Sequence, residues 1–510
     1  MNKNVLLITA DHMRHDAVAC NSDVAPKSAL AHVVQTPNLD RLAREGVTFR
    51  NAFTPNPICV PARATITTGN YPMKCTGTNI NGGRIGDDQP KLAEVFAANG
   101  YDTYAIGKLH YVPYSPPSEP RLVHGFQYVE LNEEGRIASG YDRTGEMEGL
   151  EDYHDYLRQM GWCGYSRAHG VGNNDIHPAT SPLPAEHHEE SWVASRTIAA
   201  LERHRAEKPD RPFLLWASFA KPHSPYDPPR PYDGMYDPRH IPEPMGGWDN
   251  EEIMADRDRE LMVRRVEYGW DKLAPQAVQV ARAHYCGMVT FQDAMIGRIL
   301  DWLDKYGLTD ETIVVYSCDH GDLLGDFGRF YKSCMYDGAI KIPFIWRAPG
   351  VIGKDDSHRR DQLVGLQDIL PSLCGLTGVS FPYEVDGMDL SPTLRDSGTK
   401  VKGRDFYVSV TESGGSAKAM VRTPEWKYIY TEIVGVEELY NALDRDGELI
   451  NLAHDPAYAA IKADLRARLI KWCLENGNSC LLSNGDLSVK SDECLPKPEF
   501  SPGRMGWRRF

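Results

Sequence analysis

Short, continuous apolar runs alternate with helical patterns over residues 1–350, and they constrain the fold more than any other feature of the chain. A run that is apolar at every position, not only at every second one, predicts a strand buried on both faces. Such strands alternating with helices predict an α/β fold with a large, mostly parallel central sheet flanked by helices. The predicted strands are residues 5–8, 103–106, 213–219, 312–317 and 343–346. The predicted helices are residues 37–45, about 91–99 and about 275–306.

Two polar stretches and a change of composition near residue 395 predict the domain organisation. Residues 113–190 are rich in proline, glycine, histidine and acids, and residues 221–272 are rich in proline. Long irregular segments of this kind are typical of the walls of a site or of subunit contacts. We assign residues 1–395 to a catalytic α/β domain and residues 396–510 to a smaller C-terminal α+β subdomain. In the subdomain we expect antiparallel strands at 406–410 and 427–430, a helix at 456–475 and a loop-like segment from 477 to 510.

Charge and cysteine usage narrow the class of protein. The chain has 510 residues, of which 56 are basic and 71 acidic, so its formal net charge is −15. This balance argues against a nucleic-acid or anionic-membrane binder but leaves room for an anionic substrate in a local basic pocket. Eleven scattered cysteines without zinc-type spacing are typical of reduced thiols in a cytosolic enzyme. Residues 5–8 are too short an apolar run for a signal peptide or membrane span, so we expect a cytoplasmic location and no membrane partner.

Metal-type ligands follow two of the predicted strands. Asp11 and His12 come after the first strand, and Asp319 and His320 come after the strand at 312–317. Sites in an open α/β sheet form at the carboxyl ends of the strands. The two pairs therefore predict a divalent cation held between two loops, the alternative being that they merely cap those loops.

The most specific motif is Cys59-Val60-Pro61-Ala62-Arg63, which reads as the start of a helix. A helix N-terminus favours a bound anion and lowers the pKa of a thiol. A nucleophile acting on an anionic substrate is therefore chemically reasonable at Cys59. The alternative is an ordinary cysteine at the beginning of a helix.

Taken together, these motifs resemble the type I sulfatases of the alkaline-phosphatase superfamily, close to the arylsulfatase and phosphonate monoester hydrolase branch. The resemblance covers most of the chain in the same order, and Cys-x-Pro-x-Arg is the sulfatase signature. The other matching segments are Thr36-Pro37-Asn38-Leu39-Asp40, Gly107-Lys108-Leu109-His110, Lys221-Pro222-His223-Ser224-Pro225, Asp319-His320-Gly321-Asp322 with Lys332, and Leu439-Tyr440-Asn441.

The resemblance implies that a formylglycine-generating maturation enzyme oxidises Cys59 to formylglycine. The hydrated aldehyde is a geminal diol, and one of its hydroxyls attacks the sulfur or phosphorus of an ester. Loss of the proton from the second hydroxyl then expels sulfate and restores the aldehyde. A plain serine or cysteine lacks that second hydroxyl, which is the chemical reason for the modification.

The resemblance also implies one divalent metal ion, held by Asp11, Asp319, His320 and the modified Cys59. Many sulfatases have a second aspartate or a glutamine where this chain has His12. An imidazole ligand at that place favours Mn²⁺ over Ca²⁺, whereas a His12 that only forms hydrogen bonds leaves Ca²⁺ or Mg²⁺ as candidates.

The remaining site residues take their expected roles from the family motifs that they match. Arg63 would orient the diol, Lys108 and Lys332 would neutralise the sulfate oxygens, His110 would be the base, and His223 with Lys332 would assist the leaving group. Asn81, with Asn79 as its competitor, and Lys221 are expected near the substrate. Taken singly, these lysines and histidines have ordinary interpretations as solvated or core residues, and only their joint order favours a site.

We therefore expect an enzyme that hydrolyses the sulfate ester of an aryl, alkyl or sugar group. The alternative is a phosphonate monoester or phosphodiester hydrolase with the same nucleophile, and a third hypothesis is a catalytically silent binding protein on this scaffold. The implied partners are a small anionic ester and the maturation enzyme. Relatives that begin as this chain does often form oligomers, so we also expect a homo-oligomer.

Overall fold

The computed structural model describes residues 3–23, 25–112, 120–134, 149, 151–352, 358–395, 403–413 and 415–495. Its strands are β1 (Asn4–Asp11), β2 (Val47–Phe53), β3 (Asp102–Gly107), β4 (Tyr128–Leu131), β5 (Phe213–Pro222), β6 (Thr312–Cys318), β7 (Phe344–Arg347), β8 (Arg359–Gly365), β9 (Tyr407–Ser413), β10 (Ser416–Arg422), β11 (Trp426–Thr431), β12 (Val436–Asn441), β13 (Leu482–Ser483) and β14 (Asp486–Leu487). Its α-helices are α1 (Pro37–Glu45), α2 (Cys59–Thr68), α3 (Pro72–Thr76), α4 (Leu92–Ala98), α5 (Asp152–Gln159), α6 (Glu189–Glu207), α7 (Glu251–Ala255), α8 (Glu260–Glu267), α9 (Pro275–Lys305), α10 (Asp337–Ile340), α11 (Ile369–Thr377), α12 (Ser391–Arg395) and α13 (Ala459–Glu475).

The central sheet has eight strands in the order β4-β3-β5-β1-β6-β7-β2-β8. Every neighbouring pair is parallel except the two that β7 makes with β6 and β2. The prediction of a mostly parallel sheet flanked by helices is therefore confirmed. All five predicted strands are present, and β5, β6 and β7 are buried along their whole length, as a sheet covered on both faces requires.

The predicted helices are confirmed in place and extent as α1, α4 and α9. Proline stands at the first position of α1 and of α9, where its missing N–H costs nothing. The long helix α9 packs against α6, α1 and β5, and so covers one face of the sheet.

Three strands of the central sheet were not predicted from the sequence. β2 contains the polar pair Arg50-Asn51, and β4 is only four residues long, so neither gives a continuous apolar run. The stretch 113–190 is not irregular throughout, because it contributes β4 and α5, although residues 113–119 and 135–148 lie outside the described part. The stretch 221–272 likewise contains α7 and α8.

A second sheet, antiparallel and in the order β12-β11-β10-β9, carries α13 on one face. The predicted strands at 406–410 and 427–430 are confirmed as β9 and β11, and the predicted helix as α13. The sheet rests on the segment that leads into α2, because Val410 N–H donates to Pro55 O at 2.9 Å and Tyr407 Oη to Phe53 O at 3.1 Å. The proposed boundary at 395 adjoins residues 396–402, which are not described, and stays a prediction.

Within the described residues, none of the helices combines the length and the apolar character that crossing a membrane requires.

Candidate active site

Four neighbouring strands, in the order β3-β5-β1-β6, deliver the predicted site residues at their carboxyl ends. Parallel strands end at the same edge of a sheet, so residues far apart in sequence meet there. The residues delivered are Lys108 after β3, Lys221 and His223 from β5, Asp11 from β1, and Asp319 and His320 after β6. The N-terminus of α2 adds Cys59 to this edge.

The turn after β3 depends on Gly107. Its φ of +100° is unfavourable for residues with a side chain, and a Cβ there would lie 2.0 Å from the carbonyl oxygen of Ser218. With glycine in place, the backbones of β3 and β5 approach closely and Lys108 N–H donates to Ser218 O at 2.9 Å. The Lys108 ammonium consequently enters the site from the neighbouring strand.

Asp11 is fully buried between two cations. Its Oδ2 lies 2.5 Å from Lys108 Nζ and 3.5 Å from Arg63 Nη2. Burial and the Cys59 thiolate both raise the pKa of this carboxyl, but Lys108 and Lys332 outweigh them and hold the pKa well below its usual value. Asp11 is therefore an anionic oxygen donor at neutral pH.

Arg63 follows Cys59 by one turn of α2 and is also fully buried. Its Nε donates to Asp319 Oδ2 at 2.9 Å, and its Nη1 donates to Lys108 O at 2.6 Å and to Ser218 Oγ at 2.9 Å. The guanidinium thus ties the loops after β3 and β6 to α2. Its contacts with Asp11 Oδ2 and Asp319 Oδ2 hold these two carboxylates in place.

Cys59 is the first residue of α2 and is 3% exposed. Its Sγ lies 3.0 Å from Lys332 Nζ, 3.2 Å from His320 Nε2 and 3.7 Å from Asp11 Oδ1. Burial raises the pKa of the thiol, but Lys332 and His320, together with hydrogen bonds from histidine, hold the pKa well below its usual value. The sulfur therefore occupies a place that stabilises negative charge.

Two histidines present one nitrogen each towards the same point. His320 donates from Nδ1 to Gly321 O at 3.0 Å, and His12 donates from Nδ1 to Asp322 Oδ2 at 2.8 Å. A bond of this kind fixes the ring and leaves the Nε2 lone pair for a metal. His12 holds this orientation with a φ of +64°.

The donor set fits a divalent cation. One ligand atom each from Asp11, His12, Cys59 and His320 lie within 4.8 Å of one another. Carboxylate oxygen with two imidazoles and a soft or hydroxyl ligand suits a borderline ion such as Mn²⁺, while carboxylate oxygen also suits Ca²⁺. Asp319 adjoins this set, with Oδ1 3.7 Å from His320 Nε2.

A cavity of about 510 Å³ reaches this cluster from the surface. Three of the residues that line it are the exposed Asn81, His12 from the donor set, and Lys332, which contacts Cys59. Its other lining residues are Ile58, Asn174, Arg264, Tyr268, Trp270, Arg329, Tyr331, Ser333, Glu412 and Ser413. Of the two asparagines considered, Asn81 faces this space, whereas buried Asn79 donates to Asn478 Oδ1 at 2.8 Å.

The two predicted catalytic histidines lie beside the cluster. His110 is 4% exposed and helps to lower the pKa of the Cys59 thiol, so its imidazole lies beside that sulfur. His223 donates from Nδ1 to Ser224 O at 2.7 Å, and its ring centroid lies 4.1 Å from that of His12. Burial, with the charge of Lys108, holds the pKa of His223 well below its usual value, so its imidazole is neutral.

Lys221 is placed differently from the other lysines. Its ammonium donates to Asp227 Oδ1 at 2.7 Å and to Pro225 O at 3.0 Å, and it lies 3.3 Å from Glu189 Oε1. These contacts hold the His223 loop in shape.

Sequence reasoning missed the carboxylates that oppose Lys108. Glu134 Oε2 accepts from Lys108 Nζ at 2.7 Å, and Glu133 accepts from the backbone N–H of His110 at 3.0 Å. Both lie just after β4, separated from it by Asn132. They are another polar pair that follows a strand, but this strand is too short to be recognised from the sequence.

A cationic pocket with a metal-type donor set, at the strand ends of this mostly parallel sheet, defines an alkaline-phosphatase-like hydrolase. The family model described as Sulfatase matches residues 3–379, and the chain belongs to the sulfatase family of sulfuric ester hydrolases. A second model, N-sulphoglucosamine sulphohydrolase, C-terminal, matches residues 325–474.

Individual relatives cover nearly the whole chain. An arylsulfatase from Clostridium perfringens is 31% identical over 92% of this chain and 94% of its own length. A choline-sulfatase from Rhizobium meliloti is 25% identical over 92% and 87%. The phosphonate monoester hydrolase of Agrobacterium radiobacter has the same fold, with a TM-score of 0.77 and 23% identity over 96% of this chain and 99% of that one.

Proposed function

We propose that this chain hydrolyses a sulfate ester of an aryl, alkyl or sugar group, with formylglycine made from Cys59 as its nucleophile. The observation that carries the proposal is the position of Cys59, whose Sγ lies 3.0 Å from Lys332 Nζ and 3.2 Å from His320 Nε2 at the start of α2. A group at this point is surrounded by cations and by a helix N-terminus, which together favour an anionic substrate. The formylglycine-generating enzyme is the partner that the proposal requires.

The matured residue would act as a hydrated aldehyde. One of its hydroxyls loses its proton as its oxygen bonds to the ester sulfur, the S–O bond to the alcohol breaks, and the departing alcohol oxygen takes up one proton, so no net proton is gained or lost in this half of the cycle. The second hydroxyl then loses its proton, the C–O bond to the sulfate breaks, and the aldehyde returns as sulfate leaves. Hydrolysis of the ester by one water is thereby balanced over the cycle, since a water rehydrates the aldehyde.

The chain's own residues supply the proton transfers and the charge. His110, which lowers the pKa of the residue 59 thiol and so lies beside it, is placed to accept the proton of the second hydroxyl. Lys332 contacts His12 Nε2 and is placed to stabilise the departing alcohol oxygen, and the neutral His223 ring packs beside His12 as part of the same wall. Lys108, whose ammonium contacts Asp11, keeps positive charge next to the spreading sulfate charge.

Asp11, His12, Asp319 and His320 would hold the divalent ion with residue 59. The ion would acidify the attacking hydroxyl, which is the usual contribution of a Lewis acid at such a site. Arg63 positions two of these carboxylates through the contacts at 2.9 and 3.5 Å, and so acts on the nucleophile through them.

Parallel kinetics on aryl sulfates and aryl phosphonate monoesters test the proposal, because the two esters carry the same charge and share the nucleophile. The enzyme is produced together with a formylglycine-generating enzyme, and mass analysis of the peptide holding residue 59 reports its conversion. We expect conversion, and a higher kcat/KM for the sulfate. Cys59→Ala, prepared in the same way, is the matched control and is expected to be inactive.

Two results would contradict the proposal. A residue 59 that stays an unmodified thiol in an active preparation would remove the nucleophile. A kcat/KM that strongly favours the phosphonate would make the chain a phosphonate monoester hydrolase instead. The cytoplasmic location and the homo-oligomer stay predictions from the sequence.

A further inference from the structure

The lysine that we expect to neutralise the sulfate oxygens is itself opposed by two carboxylates. Lys108 Nζ lies 2.5 Å from Asp11 Oδ2 and 2.7 Å from Glu134 Oε2. Asp11 has a place in the proposed chemistry as a metal ligand, but nothing in that chemistry uses Glu134. A second carboxylate removes positive charge from a place where an anion has to bind, so its presence needs an explanation.

Glu134 is held firmly and away from water. Its side chain has no exposed surface, and its backbone adopts a φ of +55°, which is uncommon for a residue other than glycine. Its N–H donates to Asn132 Oδ1 at 3.2 Å, and its carbonyl oxygen accepts from Asn173 Nδ2 at 2.6 Å. Because buried charges are little screened by solvent and salt, this carboxylate acts strongly on the groups around it.

Glu134 also faces His223, the second side chain that we place near the ester. Its Oε1 lies 3.8 Å from His223 Nδ1. Burial lowers the pKa of this imidazole, and the charge of Glu134 opposes that shift without reversing it. Lys108 follows β3 and His223 follows β5, which are neighbouring strands of the sheet. One carboxylate thus lies against two of the side chains that the proposed function uses.

Other cations near Glu134 are balanced by other carboxylates. Arg167 acts on Glu134 electrostatically, but the ion pair that it makes within the described residues is with Asp227, at 3.5 Å. Lys221 pairs with the same Asp227 at 2.7 Å and with Glu189 at 3.3 Å. Two cations oppose two carboxylates in this group, so neither cation is in excess near Glu134.

The charge of the ester decides what a carboxylate in this position does. A sulfate monoester and a phosphonate monoester each carry one negative charge, whereas a phosphate monoester carries nearly two at neutral pH. All three groups are tetrahedral and present similar oxygens. A buried negative charge next to Lys108 repels the dianion about twice as strongly as the monoanion, because the interaction is proportional to the charge.

We propose that Glu134 is a specificity-determining residue, whose carboxylate offsets the charge of Lys108 and makes the site select monoanionic esters over dianionic phosphate monoesters. The inference rests on the proposed function, which places Lys108 next to the oxygens of the bound ester. Glu134 acts through Lys108 and does not touch the ester. The same repulsion acts on inorganic sulfate, which leaves as a dianion when the covalent intermediate collapses, so Glu134 also favours release of the product.

Three esters with the same para-nitrophenol leaving group test the inference: the sulfate, the phenylphosphonate and the phosphate. They are compared at pH 8, where the phosphate ester is a dianion. Glu134→Gln, matured in the same way as the unchanged chain, keeps the size of the side chain and removes its charge. We expect kcat/KM for the phosphate to rise roughly 10- to 100-fold relative to both monoanionic esters, as for a unit charge at about 6–8 Å in a buried site. The ratio of sulfate to phosphonate should not change.

Product inhibition is a second readout, and it does not require turnover of the phosphate ester. Inorganic sulfate is a dianion, so it should inhibit Glu134→Gln more strongly than it inhibits the unchanged enzyme. Equal inhibition of the two proteins would contradict the inference.

Asp102→Asn is the matched control. Asp102 is also a buried carboxylate paired with a lysine, at 3.0 Å from Lys208 Nζ, but it stands at the opposite end of β3 from Lys108. Its replacement should leave the ratio of phosphate to sulfate unchanged. Glu134→Asp keeps the charge and should retain most of the discrimination. Glu134→Met removes the charge with a side chain of similar length and replaces Glu134→Gln if thermal unfolding shows that the amide variant does not fold.

The outcomes separate this inference from the proposed function. A ratio of phosphate to monoanionic esters that Glu134→Gln leaves unchanged, or an equal loss for all three esters, would overturn the inference, because Glu134 would then only anchor Lys108. A phosphonate that follows the phosphate instead of the sulfate would also overturn it, since charge would not be the cause. Failure to hydrolyse any sulfate ester would overturn the proposed function, and the ratio of phosphate to phosphonate would still decide the role of Glu134.

Discussion

The ammonium of Lys332 donates to the sulfur of Cys59 at 3.0 Å, although 273 positions separate the two residues. The same ammonium contacts Nε2 of His12, so one cation joins the proposed nucleophile to the candidate metal site. The electrostatics of Cys59 therefore depend on a residue that arrives from the loop after β6, and this dependence can be measured.

Replacing Lys332 should raise the pKa of the unmodified thiol. Lys332 is the strongest of the charges that hold the pKa of Cys59 down against burial, so Lys332→Met should move the thiol titration to higher pH. The ultraviolet thiolate signal is measured for each protein and for its Cys59→Ser counterpart, and the difference gives Cys59 alone. Lys74→Met is the control, because Lys74 pairs with Asp386 at the surface. An unchanged titration in Lys332→Met would contradict the geometry.

Removing Arg63 should destabilise the fold, and a divalent cation should reverse part of the loss. Arg63→Met leaves the buried carboxylates of Asp11 and Asp319 without their guanidinium, a change that costs about 3–5 kcal/mol in comparable buried pairs. Thermal unfolding with and without Ca²⁺ or Mn²⁺ measures both effects. Arg41→Met, which breaks ion pairs at the surface, should cost at most about 1 kcal/mol. Equal losses of stability in the two variants would show that Arg63 contributes no more to the stability of the fold than a surface arginine does.

Metal preference should change when His12 is replaced. If His12 Nε2 is a ligand, His12→Asn exchanges an imidazole for an amide oxygen, which favours Ca²⁺ over Mn²⁺. Calorimetric titration should show Mn²⁺ affinity falling at least about tenfold more than Ca²⁺ affinity. A parallel fall for both ions would instead make His12 a hydrogen-bonding neighbour.

Stability should depend on pH through Glu438 in β12. This carboxyl is fully buried, accepts hydrogen bonds from Tyr336 and Tyr440, and burial raises its pKa from 4.5 to about 7. The folded protein holds this proton more tightly than the unfolded chain, so its contribution is complete at low pH. It is lost as the pH rises from 4.5 to 7, by up to about 3 kcal/mol.

Glu438→Gln cannot titrate and should remove this dependence. Its melting temperature relative to the unmodified protein should therefore rise between pH 5 and pH 8. Glu437→Gln, a neighbouring change at a partly exposed carboxylate, is the matched control. Parallel pH profiles for all three proteins would mean that Glu438 titrates normally.

The sequence was most informative where a strand contains a short continuous apolar run. β1, β5 and β6 are of this kind, so the residues at their ends, among them Asp11, His223 and Asp319, could be expected to meet. Their adjacency in the sheet follows from packing that no local pattern records.

Other parts of the site could not be predicted for physical reasons. Glu133 and Glu134 follow β4, whose four residues carry too little apolar periodicity to be recognised. Trp270 and Arg329 line the same cavity only because separate segments fold against each other, and no spacing in the sequence links them. Whether Lys221 serves the substrate or a loop depends on Asp227, six positions away, which local patterns cannot decide.

The burial of Cys59 also limits the period in which a second protein could oxidise this cysteine. With its side chain 3% exposed and its sulfur in contact with His320 and Lys332, the thiol is closed to a second protein once the loop after β6 has folded. These covering residues are synthesised more than 250 positions after Cys59, so the cysteine leaves the ribosome long before its cover. The fraction of chains that carry formylglycine would then depend on the rate of oxidation relative to the rate of folding. Slower synthesis of residues 60–320 should increase that fraction.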